Sequence, residues 1–515
     1  MDSPASPPQE IELKLSLEPG ALARVRRHPA LAPLLEGRAR TATVLSRYYD
    51  TPTRRLLEAG VTLRLRRTGA RWLQTVKGAG MAVAGLHRRT EYEWPLSRPQ
   101  LDRSLLATTP WKKVFAAAAG DLKPLFTTQV RRTSQAIAFA DGTRATLCLD
   151  VGTISAGAQR APISEIEIEL ISGDARRLYE IAQALAADLS VSAAHRSKAE
   201  RGYALAGTGA LEPVRAARVP LAANISAAQA FAAVGADCLR QVGANAEGLA
   251  AGGDEEFVHQ LRVGVRRLRS LLKFINELNP SAPLAPLDED LQWLARVAGA
   301  ARDWDVFAAE TLAPITPQLA QPQLRRDLGR LKARATKLRS THRAAIVEAV
   351  RSQRVTRMLL ALGAILAGLA AESGTGETTT SARVLAAATL AQRDRQLRKR
   401  SKRLRQLAPA DRHRARLAAK KLRYAAEFFA PLYREARAAR YIEALARLQG
   451  ALGKLNDLAT AEHLLLLLVP AGTLAPGPAH AAGIVRGWGI AGAASELARA
   501  DKASRAFAKL KPFWN

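Results

Sequence analysis

Residues 10–15 read Glu10-Ile11-Glu12-Leu13-Lys14-Leu15, and residues 163–170 read Ile163-Ser164-Glu165-Ile166-Glu167-Ile168-Glu169-Leu170. Both stretches alternate charged and apolar side chains with a period of two. In an extended strand, positions i, i+2 and i+4 share one face. Each stretch is therefore predicted to be a strand with one apolar and one charged face. Val61-Thr62-Leu63-Arg64-Leu65-Arg66 repeats the pattern. Across the first part of the chain the charged rows are Glu10, Glu12 and Lys14; Arg64 and Arg66; Thr75 and Lys77; Arg89, Glu91 and Glu93; and Glu165, Glu167 and Glu169. Asp150 follows the run Thr146-Leu147-Cys148-Leu149.

A charged strand face is ordinarily a solvated one. Here the charges are sorted by strand, and three glutamates in a row repel one another unless a cation or a basic neighbour compensates them. Strands of acid and strands of base, closed into a barrel, place both inside one lumen. Carboxylates suit hard divalent cations, which prefer oxygen ligands, and Arg grips phosphate oxygens bidentately. Together they are what metal-assisted phosphoryl transfer requires. The chain has no G-x-x-x-x-G-K-[ST] loop, which disfavours a P-loop nucleotidase.

The chain has 515 residues, of which 48% are hydrophobic and 24% charged, enough to bury a core. Its length suggests two to four domains at roughly 150 residues each. Helical stretches are predicted at residues 111–119 and 174–188, among the strands. Residues 207–220, rich in Gly, Pro and Ala, read as a linker, and residues 372–381, rich in Gly, Ser and Thr, as a loop. Beyond the linker the sequence is Ala/Leu/Arg-rich with a helical period. Of the net charge of +31, residues 1–206 carry +10 and the remainder +21. Such an excess calls for a polyanionic partner. Two cysteines, Cys148 and Cys238, exclude a disulfide scaffold or a cysteine-rich zinc module. The start Met1-Asp2-Ser3-Pro4 has no signal pattern. The longest apolar run, residues 358–371, is shorter than the roughly 18 residues a membrane span needs. The expectation is a cytoplasmic protein with no membrane partner.

The helical half contains an internal repeat. His259-Gln260-Leu261-Arg262-Val263-Gly264-Val265-Arg266-Arg267-Leu268-Arg269 matches His413-Arg414-Ala415-Arg416-Leu417-Ala418-Ala419-Lys420-Lys421-Leu422-Arg423 at an offset of 154. The same offset pairs Phe274 with Phe428, Gly299 with Gly453 and Asp303 with Asp457. This argues for a duplicated unit of about four helices. At about 100° per residue, His259, Arg262, Arg266, Arg269 and Lys273 fall within an arc of about 80°. Leu261, Val265, Leu268, Leu272 and Ile275 lie opposite. In the second copy His413, Arg416, Lys420 and Arg423 align in the same way, with Tyr424 beside them. Like charges three and four apart destabilise an isolated helix by a few tenths of a kcal/mol per pair, on the order of magnitude measured in peptides. A polyanion removes that repulsion. Nucleic acid is disfavoured as that polyanion, because base stacking needs aromatics and these are 5% of the chain.

In the strand half, Glu10-Ile11-Glu12-Leu13-Lys14 resembles the ExExK signature of CYTH domains, the triphosphate tunnel metalloenzymes. Further segments follow in family order: Tyr49-Asp50-Thr51, Leu63-Arg64-Leu65-Arg66, Gln74-Thr75-Val76-Lys77-Gly78, Arg89-Thr90-Glu91-Tyr92-Glu93, residues 128–132, Leu149-Asp150-Val151-Gly152, residues 165–170 and Ser197-Lys198-Ala199-Glu200-Arg201-Gly202-Tyr203. The resemblance implies an eight-stranded antiparallel tunnel that takes triphosphate end-on. It implies Mg²⁺ or Mn²⁺ held by members of the set Glu10, Glu12, Glu91, Glu93, Asp150, Glu165, Glu167 and Glu169. It implies phosphate binding by Lys14, Arg64, Arg66, Lys77, Arg89, Arg132 and Lys198. Arg131 and Arg132 lie on opposite faces of one strand, and Arg132, in step with Val130 and Thr128, is the one expected to point inward. The substrate stays open among inorganic triphosphate, thiamine triphosphate and ATP.

The helical half resembles a CHAD domain, an α-helical module with duplicated halves. The two His-x-x-Arg motifs carry the likeness, with Arg302-Asp303 and Asn456-Asp457 in support. It implies binding of long-chain inorganic polyphosphate by His259, Arg262, Arg266, Arg269, Lys273, His413, Arg416, Lys420, Arg423 and Tyr424, and association with polyphosphate granules in a bacterium. The expected fold is thus α+β and multidomain. Residues 9–206 form the tunnel with flanking helices, 207–220 the linker, and 221–515 an all-α domain with halves at about 221–371 and 382–515. The expected function is metal-dependent triphosphate hydrolysis with polyphosphate binding. The alternative is a non-catalytic, granule-associated polyphosphate binder. The last residues of the chain suggest no role.

Overall fold

A computed structural model describes residues 8–118, 120–209, 211–278, 280, 284–372, 380–469 and 476–515. Ala119 of a predicted helix, Ala210 of the predicted linker and residues 373–379 of the predicted loop lie outside these. The chain divides into two compact units. The first comprises Met1–Val214, Ala246–Ala251 and Arg351–Gly368, and the second comprises the rest.

The first unit is built on one sheet. Its strands are β1 Gln9–Leu17, β2 Leu35–Asp50, β3 Thr62–Thr68, β4 Arg71–Lys77 and β5 Met81–Val83. They continue with β6 Leu86–Leu96, β7 Lys123–Ala138, β8 Arg144–Ala156, β9 Gln159–Ser172 and β10 Val191–Ala193. The order is β10-β1-β9-β8-β7-β2-β3-β4-β6-β5, and β1 also pairs with β6. That extra antiparallel pairing closes eight strands into a barrel, leaving β5 and β10 as short additions.

The barrel is apolar outside and charged inside, which follows from the period of two. Leu13, Leu15, Ile166 and Ile168 are fully buried, and the Arg176–Asp188 helix packs against β1. A second outer cluster joins Leu56, Val61, Leu63 and Val76 to Leu106 and Phe115. Each such side chain removed from water contributes about 2 kcal/mol. Register is set by this outer burial, because a one-residue slip would turn every charge outward. The resulting pairs are Glu10 with Arg89, Lys14 with Glu167 and Glu12 with Glu169, and Arg132 with Asp150.

One short helix, Lys198–Leu205, seats against the barrel. Ser197 and Glu200 form a capping box at its start, which fixes the position of Lys198. Ala199 and Tyr203 join Val44, Tyr48, Phe126, Val130 and Ile154 in an apolar cluster. Gly202 permits the close approach: a Cβ there would lie 2.1 Å from the Phe126 ring. The Tyr203 hydroxyl donates to Asp50 at 2.9 Å. Asp50 also accepts from the backbone N–H groups of Thr51 (2.7 Å), Leu56 (3.0 Å) and Leu57 (3.1 Å). Asp50→Ala leaves four buried donors unmatched. It is expected to cost about 4 kcal/mol, seen as a lower midpoint of chemical unfolding. An unchanged midpoint would refute this anchoring role.

In the second unit the offset of 154 holds helix by helix. Ala227–Ala250, Glu255–Leu278, Ala285–Val306 and Pro322–Arg351 correspond to Ala382–Ser401, Pro409–Phe429, Glu435–Leu468 and Pro476–Ala508. Leu261, Val265, Leu268, Leu272 and Ile275 are at most 4% exposed, so the predicted apolar face is the packed one. Phe274 meets the Phe429 ring at 5.8 Å and Phe428 at 6.5 Å, joining the equivalent helices of the two copies. The C-terminal residues do have a structural part. Phe507, Phe513 and Trp514 surround Tyr441 at centroid distances of 5.1–5.4 Å.

The Gln353–Ala371 helix falls outside the repeat and groups largely with the first unit. It is long and apolar enough to cross a membrane by length and composition, and half of that window is buried inside the protein. Its Arg357 donates to the carbonyl of Ala186 at 2.9 Å.

Candidate functional site

The barrel lumen holds a cavity of about 170 Å³. It is lined by Glu10, Glu12 and Lys14 of β1, Arg64 and Arg66 of β3, Lys77 of β4, and Arg89, Glu91 and Glu93 of β6. Arg132 of β7, Glu167 and Glu169 of β9, and Lys198 complete the charged lining. Arg132 faces inward while Arg131 is exposed. Asp150 and Glu165 are not on the lumen surface. They lie beneath it, at most 1% exposed.

Most of these charges neutralise one another. Lys77 donates to Glu10 at 2.6 Å, and Arg89 Nε to Glu10 at 2.9 Å. Arg89 also binds Glu12, and Lys14 binds Glu167. Burial opposes ionisation of Glu10, but Lys77, Arg89 and Lys14 hold its carboxyl well below the usual range. Arg132 reaches Asp150 at 2.8 Å and also Glu167. Asp150, Glu165 and Glu167 present oxygens within 4.8 Å of one another, close enough to share a cation. The Lys198 ammonium already stands among them, 2.7 Å from Asp150, 3.0 Å from Glu167 and in contact with Glu165. This trio therefore carries its own counter-charge.

Glu169 differs. No ion-pair partner for it occurs among the described residues. Burial, and then the carboxylates of Glu10, Glu12 and Glu91, push it up to about 7. Burial and Glu10 likewise raise Glu91. A carboxylate held among carboxylates lacks a cation. The donor set of Glu10, Glu12, Glu91 and Glu169 is all hard oxygen, which fits a divalent ion. On the opposite side, Arg64 Nε and Nη2 and Arg66 Nε are buried without a hydrogen-bond partner among the described residues. Their ion pairs are long, Arg64 to Glu91 at 3.6 Å and Arg66 to Glu93 at 3.7 Å. Buried unmatched guanidinium donors suit phosphate oxygens.

Several lumen residues escaped the sequence reading. Ser46 and Tyr48 of β2, Thr62 of β3 and Thr128 of β7 also line the cavity. Tyr48 is 3% exposed and accepts from Arg64 Nη1 at 3.4 Å. Its signal was present: Ser46 and Tyr48 keep step with Asp50, but neither carries charge.

The second unit has its own cationic cluster. Arg262 lies 3.8 Å from Asp303. Burial, then the charges of Arg266, Arg416 and Arg262, push the Lys420 ammonium down to about 6. Burial also lowers Arg262 and Arg416, with Arg266 acting on both. Arg266 Nε and Arg416 Nε are buried without hydrogen-bond partners among the described residues. The two stripes therefore meet at Arg262, Arg266, Arg416 and Lys420, with Tyr424 7% exposed beside them. His259 is half-buried at the same place, lowered by burial and Arg302. The remaining predicted residues sit outside this centre. Arg269 donates to Asp288 at 2.9 Å, Arg423 to Glu427 at 2.6 Å, Lys273 is exposed, and His413 Nδ1 is 3.2 Å from Asn456 Oδ1. Asp303 and Asp457 face the cluster, and burial raises both carboxyls.

Comparison with known proteins places both halves. The CYTH domain matches residues 8–203 and the CHAD domain residues 233–466. An inorganic triphosphatase of Haemophilus influenzae is 32% identical over 199 residues, 38% of this chain. The chain spans 55% of that relative's length. The crystal structure of the CHAD domain from the plant Ricinus communis is 35% identical with a TM-score of 0.51, covering 58% of this chain and 98% of that one. The chain belongs to the CHAD family and carries, ahead of its CHAD domain, a CYTH domain folded as a closed eight-stranded tunnel.

Proposed function

We propose that the tunnel hydrolyses inorganic triphosphate with a divalent cation, Mg²⁺ or Mn²⁺, and that the cationic cluster of the helical unit binds long-chain polyphosphate. The carrying observation is the pairing of unneutralised acid at Glu169 with unmatched guanidinium donors on Arg64 and Arg66 across one lumen. The named relative, an inorganic triphosphatase, supports the choice of substrate. Glu10, Glu12, Glu91 and Glu169 would hold the ion, with Glu93 beside them. Bound there, it supplies positive charge to phosphate oxygens and polarises the attacking water. The chain's own part is positioning. Arg64, Arg66 and Arg132 grip phosphate oxygens, and Lys14, Lys77, Arg89 and Lys198 exchange carboxylate partners for phosphate. Water attacks the terminal phosphorus, the anhydride P–O bond breaks, and orthophosphate and pyrophosphate leave.

The test is phosphate release from inorganic triphosphate, thiamine triphosphate, ATP and long-chain polyphosphate, each with Mg²⁺, Mn²⁺ or EDTA. Release from inorganic triphosphate is expected to be greatest and to vanish in EDTA. Equal release in EDTA would refute the metal requirement. No release from any substrate would leave a non-catalytic polyphosphate binder.

The unmatched Nε donors of Arg266 and Arg416, with the depressed basicity of Arg416 and Lys420, support polyphosphate as the ligand of the cluster. A phosphate chain supplies acceptors to all three and restores the charge of Lys420. By this reading the protein works in the cytoplasm, at polyphosphate granules. Arg266→Ala combined with Arg416→Ala is expected to weaken polyphosphate binding by about a hundredfold, because two charge-assisted hydrogen bonds to phosphate disappear. Titration of labelled polyphosphate checks it, and a change under about threefold would contradict the assignment.

A further inference from the structure

Beside the cationic cluster the helical unit has a cavity of about 570 Å³. The two share Arg266 and Tyr424. Beyond Arg266 the lining changes character. Val263, Ala439 and Ile442 make an apolar wall, and Glu427 and Glu435 add carboxylates that are each paired with an arginine of the same lining, Arg423 and Arg218. Gln449 also lines it, and its Oε1, an acceptor, is buried without a hydrogen-bond partner among the described residues. Residues 215–218 also line it, tied down where the Ala217 N–H donates to Asp237 at 3.1 Å.

A bare phosphate chain is a poor occupant of such a space. It offers only acceptors, so it cannot satisfy Gln449 Oε1. It also gains nothing from Val263 or Ile442. A ligand with phosphates at one end and an apolar ring bearing N–H donors at the other uses every part of the lining. We propose that the chamber binds the base and sugar of a nucleoside polyphosphate, whose phosphate tail passes Arg266 into the cationic cluster. This rests on the cluster being a polyphosphate site. The sugar hydroxyls face Glu427 and Glu435 as donors, the base lies on the apolar wall, and its exocyclic N–H donates to Gln449. The charged stripe is thus specific for phosphate alone, and the adjoining chamber adds selection for what the phosphates carry.

The experiment is photolabelling of the full-length protein with 8-azido-ATP in EDTA, followed by peptide mapping. Label is expected on residues 435–449 or 215–218. ATP should displace it at a concentration about tenfold below inorganic triphosphate, the margin of one matched hydrogen bond and a buried ring. Ala439→Trp fills the chamber and should remove this label while long-chain polyphosphate binding stays within about twofold of wild type. Gln449→Ala, a milder change, should weaken ATP about fivefold. Label found only on the barrel strands overturns the proposal. So does displacement by inorganic triphosphate as effective as by ATP. Polyphosphate binding separates the two readings. If the wild type binds long-chain polyphosphate but the chamber takes no label, only the nucleoside site fails. If the chamber is labelled in a protein that binds no long-chain polyphosphate, the polyphosphate reading of the cluster fails and the nucleoside site stands.

Discussion

Glu10→Gln combined with Glu12→Gln should lower triphosphate hydrolysis by at least about a thousandfold, roughly 4 kcal/mol of transition-state stabilisation. The pair supplies two of the three carboxylates around Glu169 and also holds Lys77, Arg89 and Lys14. Neutralising both removes oxygen ligands and leaves three buried cations under-compensated, so stability falls as well. Glu169→Gln keeps the two effects apart, because no ion pair to that carboxyl occurs among the described residues. Its folded pKa, about 7, stands above its unfolded value, so the group favours the unfolded chain as pH rises from about 4.5 to 7. Removing its charge should therefore raise the thermal midpoint at pH 8 and leave it unchanged at pH 4, while hydrolysis falls about a hundredfold. A midpoint that drops at pH 8 would refute the claim that Glu169 is uncompensated. Hydrolysis unaffected by the double change would end the tunnel assignment.

Polyphosphate affinity should rise about tenfold for each pH unit lowered between 8 and 6. The cause is Lys420. In the free protein its ammonium is pushed down to about 6 by burial and by Arg266, Arg416 and Arg262, offset in part by Asp457 and Asp303. A bound polyanion returns it toward its ordinary value, so binding takes up a proton throughout this window. The same depression makes the free fold gain stability as pH rises from about 6 toward 10, since the unfolded chain holds the proton longer. Calorimetry in buffers of different ionisation enthalpy should show uptake of about one proton at pH 7.5. Lys420→Met should abolish the pH slope, and Lys420→Arg should flatten it while keeping tight binding. A flat profile in the wild type would remove Lys420 from the ligand's path.

The strands and their inward faces were legible because one property, period-two alternation, sets both register and burial. Thirteen of the fifteen charged residues assigned to the tunnel line the lumen. Asp150 and Glu165 share the inward parity of their strands yet lie deeper, because parity gives the side of a strand and not the depth along the barrel. The row of three glutamates illustrates what spacing leaves out. It demands a compensating charge but cannot say that Lys198 serves Glu165 and Glu167 while Glu169 goes without. Tyr48 was missed because uncharged residues on a charged face give no contrast. In the helices the repeat offset identified both stripes, and the apolar face of the first is the buried one. Where two stripes cross depends on packing through Phe274, Phe428 and Phe429, and so Arg269 and Lys273 were grouped with residues that the fold places apart from them.

The duplication has a consequence for the ligand's direction. Arg262 and Asp303 from one copy stand near Arg416 and Asp457 from the other, so the two copies bring nearly the same chemistry to the site. Inorganic polyphosphate is a polymer without polarity: read from either terminus, its repeating unit is identical. If the helical unit takes polyphosphate as proposed, a site made of two equivalent copies accepts that chain in either direction. Nucleic acid and polypeptide, which have a sense along the backbone, would meet this doubled surface correctly in one half only.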